Sequence, residues 1–162
     1  MKRLRYENGS IDRIDGKILK LLAGDGRMPV SELSKRVGLS APTVSERIKR
    51  LEEAGAIKGY QAIIDPAAIG LPLAVWLRIR PVPGELSRVT ELLKNCPEIV
   101  ECDRVTGEDC FMAKAHLAHV GELEDLIDRI NPYAMTNTAV IQSSPVSQRT
   151  PDLDKVIFQD AT

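Results

Sequence analysis

Apolar residues in the first third of the chain recur with helical spacing. Ile11, Ile14, Ile18, Leu21 and Leu22 fall at i, i+3, i+7, i+10 and i+11, the stripe of a helix that buries one face, and Ser10 or Asp12 is placed to cap it. Val30, Leu33 and Val37 repeat at i, i+3 and i+7, and Gly38 follows, the residue type that leaves a helix most easily through positive φ. After Gly38-Leu39-Ser40 a third helix is predicted. Ser40 caps it, Pro42 sits in a first turn whose amides lack partners anyway, Val44, Ile48 and Leu51 form its buried stripe, and Gly55 ends it.

From Leu71 the period changes. Leu71, Leu73, Val75, Leu77 and Ile79 alternate with Ala74, Trp76, Arg78 and Arg80, the signature of a strand buried on one side. Leu86, Val89, Leu93 and Cys96 return to helical spacing until Pro97. Two strand-like runs, Ile99 to Thr106 and Cys110 to His116, flank the turn Gly107-Glu108-Asp109. Val120, Leu123, Ile127 and Ile130 mark another helix, closed near Asn131-Pro132, and Thr136 to Ser143 a last strand. The order β-α-β-β-α-β is the ferredoxin-like split, so the predicted class is α+β: a helix-turn-helix (winged-helix-like) domain followed by a ferredoxin-like domain. Such a sheet covers one face with its two helices and leaves the other, where Trp76, Arg78, Val100 and Cys102 are expected, for a second copy of the chain.

Composition changes this picture only once charge is divided along the chain. The whole chain of 162 residues carries a formal charge of −1, which by itself argues against a polyanionic partner. Residues 1–65, however, hold 13 Lys and Arg against 9 Asp and Glu, whereas residues 66–162 hold 9 against 14. The sign reverses at Asp65-Pro66-Ala67-Ala68-Ile69-Gly70-Leu71-Pro72, where two prolines and a glycine break any periodicity. The expected division is therefore a basic domain with a linker strand over 1–65, an acidic one over 66–146, and a tail over 147–162 that is mobile or packed on a neighbour. Neither a membrane span nor an export signal is read in the sequence. Cys96, Cys102 and Cys110 are odd in number and lack CxxC spacing, as expected of reduced thiols in a cytoplasmic protein.

The outward face of the third predicted helix carries Pro42, Thr43, Glu46, Lys49, Arg50 and Glu53, with Ser45 and Arg47 on its flanks. Such a face suits a solvated amphipathic helix. Two helices joined by a tight glycine turn after a first helix, with Arg27, Lys35, Arg36, Arg47, Lys49 and Arg50 in the same small domain, point instead to a helix-turn-helix whose last helix enters the major groove of double-stranded DNA. Pro42, Thr43, Glu46 and Arg47 are expected nearest base edges. Arg27, Ser40, Lys49 and Arg50 are expected on phosphates, with Ala41 and Ser45 beside them.

Ile14-Asp15-Gly16-Lys17-Ile18-Leu19, Asp25-Gly26-Arg27, Leu33-Ser34-Lys35-Arg36-Val37-Gly38-Leu39-Ser40, Val44-Ser45-Glu46-Arg47-Ile48-Lys49-Arg50-Leu51-Glu52-Glu53-Ala54-Gly55-Ala56-Ile57 and Tyr60-Gln61-Ala62 together resemble the Lrp/AsnC (feast/famine) transcription regulators. The resemblance implies a C-terminal regulatory domain, often called RAM, homodimers that assemble further to tetramers or octamers, and an amino-acid effector held between subunits. In that family the turn between the second and third strands carries a glycine and then a tyrosine-aspartate-like pair. Here it reads Thr106-Gly107-Glu108-Asp109-Cys110-Phe111, with the aspartate one place early and Cys110 in its position. Thr106, Gly107, Asp109, Cys110, Thr136 and Thr138 are the expected effector residues, supplying backbone and hydroxyl groups for a carboxylate and an acceptor for an ammonium.

Two other readings stay open: an oligomeric ligand sensor with weak or no DNA binding, for which Glu46 and Glu53 leave room, and an enzyme using Cys110 with His116 or His119. Neither GxGxxG, Walker A, HExxH nor GxSxG occurs in the sequence, and no cofactor, metal or catalytic residue is expected.

Overall fold

Asp12 starts the first helix, α1 (Arg13–Gly24), by satisfying amides that the first turn leaves without partners. Its Oδ1 accepts from the amides of Ile14 at 2.8 Å and Asp15 at 2.7 Å, and the Asp15 carboxylate accepts from the Asp12 amide at 3.2 Å. The structure, a computed structural model, describes residues 11–153, so Ser10, the other candidate cap, lies outside the described residues.

The chain divides into two compact units, residues 11–62 together with 148–153, and residues 63–147. In the first, α2 (Val30–Val37) ends at Gly38, whose φ of 74° lets the Gly38 and Leu39 amides both turn back to the Ser34 carbonyl. The next helix, α3 (Ala41–Glu53), opens at once. The Ser40 hydroxyl accepts from the Thr43 amide at 3.4 Å and lies 2.8 Å from the Thr43 hydroxyl. Ile18, Leu33, Val44 and Leu51 are buried at the centre of these three helices, with Ile14, Val37 and Ile48 packed around them.

The linker strand expected before residue 65 is not formed among the described residues: residues 58–65 pair with none of their strands, and Ile63 and Ile64 are exposed. A strand needs a neighbour for its amides and carbonyls, and no described strand of this chain pairs with the segment.

The second unit runs β1 (Leu73–Pro81), α4 (Leu86–Lys94), β2 (Ile99–Arg104), β3 (Phe111–Leu117), α5 (Val120–Ile130) and β4 (Ala134–Val140). The four strands lie in the order β2-β3-β1-β4 with every neighbouring pair antiparallel, as the split βαββαβ requires. Val75, Leu77 and Ile79 of β1 and Phe111, Ala113 and Ala115 of β3 meet Val89 and Leu93 of α4 and Leu126 and Ile130 of α5 in one core. Trp76, Arg78 and Arg80 face the opposite, open side.

A bulge between Ile99 and Glu101 corrects one expectation. With strict alternation Cys102 shares the open face with Val100. One extra residue moves every later side chain of β2 to the other side, so Cys102 pairs with the buried Ala113, on the helix-covered face, while Glu101 pairs with Lys114 on the open one. All three cysteines are unbridged.

Replacing Leu77, fully buried at the sheet centre, by Ala should cost about 3 kcal/mol of stability in urea unfolding. Gly38→Ala should cost about 1 kcal/mol through its left-handed backbone.

Candidate nucleic-acid interface and effector site

The N-terminal end of α3 stands clear of its own core. Ala41, Pro42, Thr43, Ser45 and Glu46 are exposed there, and Lys49 and Arg50 farther along the helix, while Val44 and Leu51 are fully buried beneath them. The Gly38 turn and the Ser40 cap set this geometry, because α3 leaves α2 after only three residues and presents its first turn outward. Arg27 is exposed in the turn before α2, its amide bonded to the Asp25 carboxylate at 2.9 Å. Lys49 pairs with Glu53 one turn on at 3.7 Å, both side chains well exposed, a contact worth little in water that leaves the ammonium available to a phosphate.

Arg47 departs from expectation. Its Nη1 donates to Asp12 Oδ2 and to Asp15 Oδ1, both at 2.7 Å, and only 22% of the side chain is exposed. The guanidinium is turned inward to α1 and away from the position where base edges are read. A buried carboxylate demands a partner, and Asp15, 1% exposed, takes Arg47. Its Oδ2 accepts from Arg50 Nη2, also at 2.7 Å. Arg50, by contrast, keeps half of its side chain in solvent. Asp12 was expected only as a cap and Asp15 had no expected role, although Asp15 falls beside Ile11, Ile18 and Leu22 on the apolar stripe of α1, where a carboxylate is not buried without a partner; the crossing of α3 shows what it serves.

Burial raises the Asp12 carboxyl, but the Asp15 amide, the Arg47 hydrogen bond and charge, and the Ile14 amide outweigh it and hold the group below its ordinary 3.8.

In the second unit, Gly107 with φ 113° and the bond from the Val105 amide to the Cys110 carbonyl at 2.9 Å shape the turn between β2 and β3. Its two carboxylates reach back over the open sheet face: Arg80 Nη2 meets Glu108 at 2.6 Å and Asp109 at 3.8 Å, and Arg78 Nε lies 3.9 Å from Asp109. Arg78 also donates to Asn137 Oδ1 at 3.0 Å.

Thr136 and Thr138 do not join this group within one chain. They pair with Ile79 and Leu77, residues of the helix-covered face, and β1 stands between β4 and the turn. Cys110 packs against the core, whereas Thr106 is exposed in the turn. Arg78 and Arg80 are thus the side chains gathered at Asp109, with Asn137 bonded to Arg78, and the Arg78/Arg80 alternation was the sequence signal for the two arginines. Among the described residues no group of three or more His, Cys, Asp and Glu side chains is placed to hold a metal ion, and no helix is long and apolar enough to cross a membrane. His116, on β3, is held below the ordinary imidazole value by burial and by Lys114, against the pull of Asp65 and the Leu71 backbone.

Residues 11–58 match the winged helix-turn-helix DNA-binding model and residues 74–151 the Lrp/AsnC ligand binding domain. The HTH-type transcriptional regulator FL11 of Pyrococcus horikoshii is 39% identical over 120 residues, 74% of this chain and 80% of that protein. LrpC of Bacillus subtilis is 34% identical over 133 residues, 82% of this chain and 92% of its own; its solved structure superposes with a TM-score of 0.82 over 86% of this chain and 100% of that one. A feast or famine regulatory protein of Mycobacterium tuberculosis, solved in complex with L-methionine, gives a TM-score of 0.82 at 34% identity over 88% and 99% of the two chains.

The depressed Asp12 value fixes a pH dependence. As pH falls through about 3.8 the unfolded chain takes up the proton first, so the stability this group contributes is present above that value and lost below it. The urea midpoint of the helical unit should fall as pH drops below about 4, and less steeply in Asp12→Asn, which should already be less stable at neutral pH.

Proposed function

The chain belongs to the Lrp/AsnC family of DNA-binding transcriptional regulators with an amino-acid-binding domain, and on that premise we propose how its residues divide the work. The carrying observation is the exposed first half of α3, set on the Gly38 turn and capped by Ser40. Inserted into the major groove, this end brings Ala41, Pro42, Thr43, Ser45 and Glu46 to base edges, while Arg27, Ser40, Lys49 and Arg50 take phosphates. Arg47 keeps its contacts inside the protein.

A homodimer places two such helices for half-sites about 34 Å apart. The open sheet face, with Trp76 exposed beside Lys114, and the unpaired segment 58–65 favour cover by a second copy, with further assembly to tetramers or octamers. The effector is an amino acid held at the turn, where Asp109 faces an ammonium and Arg78 or Arg80 a carboxylate; the methionine complex of the mycobacterial relative supports this class. The protein acts in the cytoplasm, as a regulator and not as an enzyme.

Gel-shift titration on the protein's own upstream DNA should show sequence preference and a steep loss of affinity with salt. Lys49→Ala should weaken binding on every duplex and reduce the salt slope by about 1. Equal affinity for all duplexes with no salt dependence contradicts the reading. In a thermal-shift screen of the common amino acids, a true effector at 100 times its Kd should add about 2.7 kcal/mol of apparent stability, and a flat response across all of them contradicts the effector assignment.

A further inference from the structure

The Asp15 carboxylate is fully engaged although it lies almost wholly out of solvent. Oδ1 takes Arg47, and Oδ2 takes Arg50 and the Asp12 amide. The two arginines stand three apart on α3 and so share one side of it, but they differ in exposure, 22% for Arg47 against 51% for Arg50. Arg47 bridges two carboxylates of α1 through one nitrogen and works as a fastener between helices. Arg50 is held by one nitrogen on the buried oxygen and carries the rest of its planar fork to the surface. A guanidinium has five N–H donors in fixed geometry, so anchoring one edge orients the others.

We propose that Asp15 is a positioning residue for DNA binding: it sets the Arg50 guanidinium in the orientation that meets a backbone phosphate. This rests on the DNA-binding reading above. An arginine already held in place loses less side-chain freedom on meeting its anion than a freely rotating one. A carboxylate behind the arginine keeps the fork's charge-assisted bonds directed outward.

Charge alone gives the opposite sign, which makes the idea testable. Two carboxylates, Asp12 and Asp15, face two guanidiniums here, so removing the Asp15 charge makes this surface more cationic. If only net charge mattered, Asp15→Asn would bind DNA more tightly.

The experiment is anisotropy titration of the full chain on its own upstream duplex at fixed salt, with wild type, D15N, R50A, D15N/R50A and R50K, each checked for folding by circular dichroism. D15N should bind about tenfold more weakly despite its gained positive charge. In the R50A background D15N should change affinity by less than about twofold, because the residue it positions is gone. R50K keeps the charge but not the fork and should bind nearly as weakly as R50A. D15N binding as well as wild type or better, or D15N and R50A effects that multiply, overturns the proposal. If D15N does not fold, D15E replaces it in the cycle: weaker binding than wild type that disappears in the R50A background upholds the proposal, and wild-type affinity or multiplicative effects overturn it. Absence of wild-type binding removes the DNA-binding reading and this inference with it, whereas wild-type binding with multiplicative effects removes the inference alone.

Discussion

The buried carboxylate of Asp15 fixes where the third helix lies. A charge taken out of water must find opposite charge and hydrogen bonds or be strongly destabilising, and here both come from α3, through Arg47 and Arg50. The apolar core of Ile18 on α1, Leu33 on α2 and Val44 and Leu51 on α3 supplies attraction between the helices but little choice among sliding or rotated dockings. Paired guanidiniums three residues apart accept one arrangement. The helix proposed to face DNA is therefore held by polar contacts at its middle and by apolar contacts along its buried side, and its first turn is left outward.

The same logic of faces governs the second unit. β1 is the strand through which everything passes, flanked by β3 and β4. Its odd residues build the core and its even residues, Trp76, Arg78 and Arg80, build the open face. The two arginines reach the carboxylates of the turn before β3, so the turn is tied to the surface on which a second copy is expected to lie. If the proposed effector and a second copy both use these side chains, a ligand has a physical basis for altering oligomer geometry and, with it, the spacing of the DNA-reading helices.

Most of the architecture was legible in the sequence. Ser40, Gly38 and the stripe of α3 specify their own local geometry, and the alternation from Leu73 to Ile79 specifies β1. What was not legible depended on distant partners. The bulge at Val100 leaves no period of its own, yet it turns Cys102 from the open face to the covered one. Thr136 and Thr138 look like neighbours of the turn until strand order inserts β1 between them. Arg47 reads as a groove residue on its own helix, because its partners Asp12 and Asp15 lie more than thirty positions earlier. The linker strand, expected at the end of the basic domain, pairs with no described strand of the chain.

The most direct measurement is the structure of the protein on a duplex from its own upstream region. The account predicts α3 in the major groove, with Thr43 and Glu46 facing base edges. Arg50 should lie on a phosphate while still bonded to Asp15, and Arg47 should still bridge Asp12 and Asp15. Arg47 swung out to a base edge with Asp15 left to water, or α3 facing away from the duplex, would contradict it.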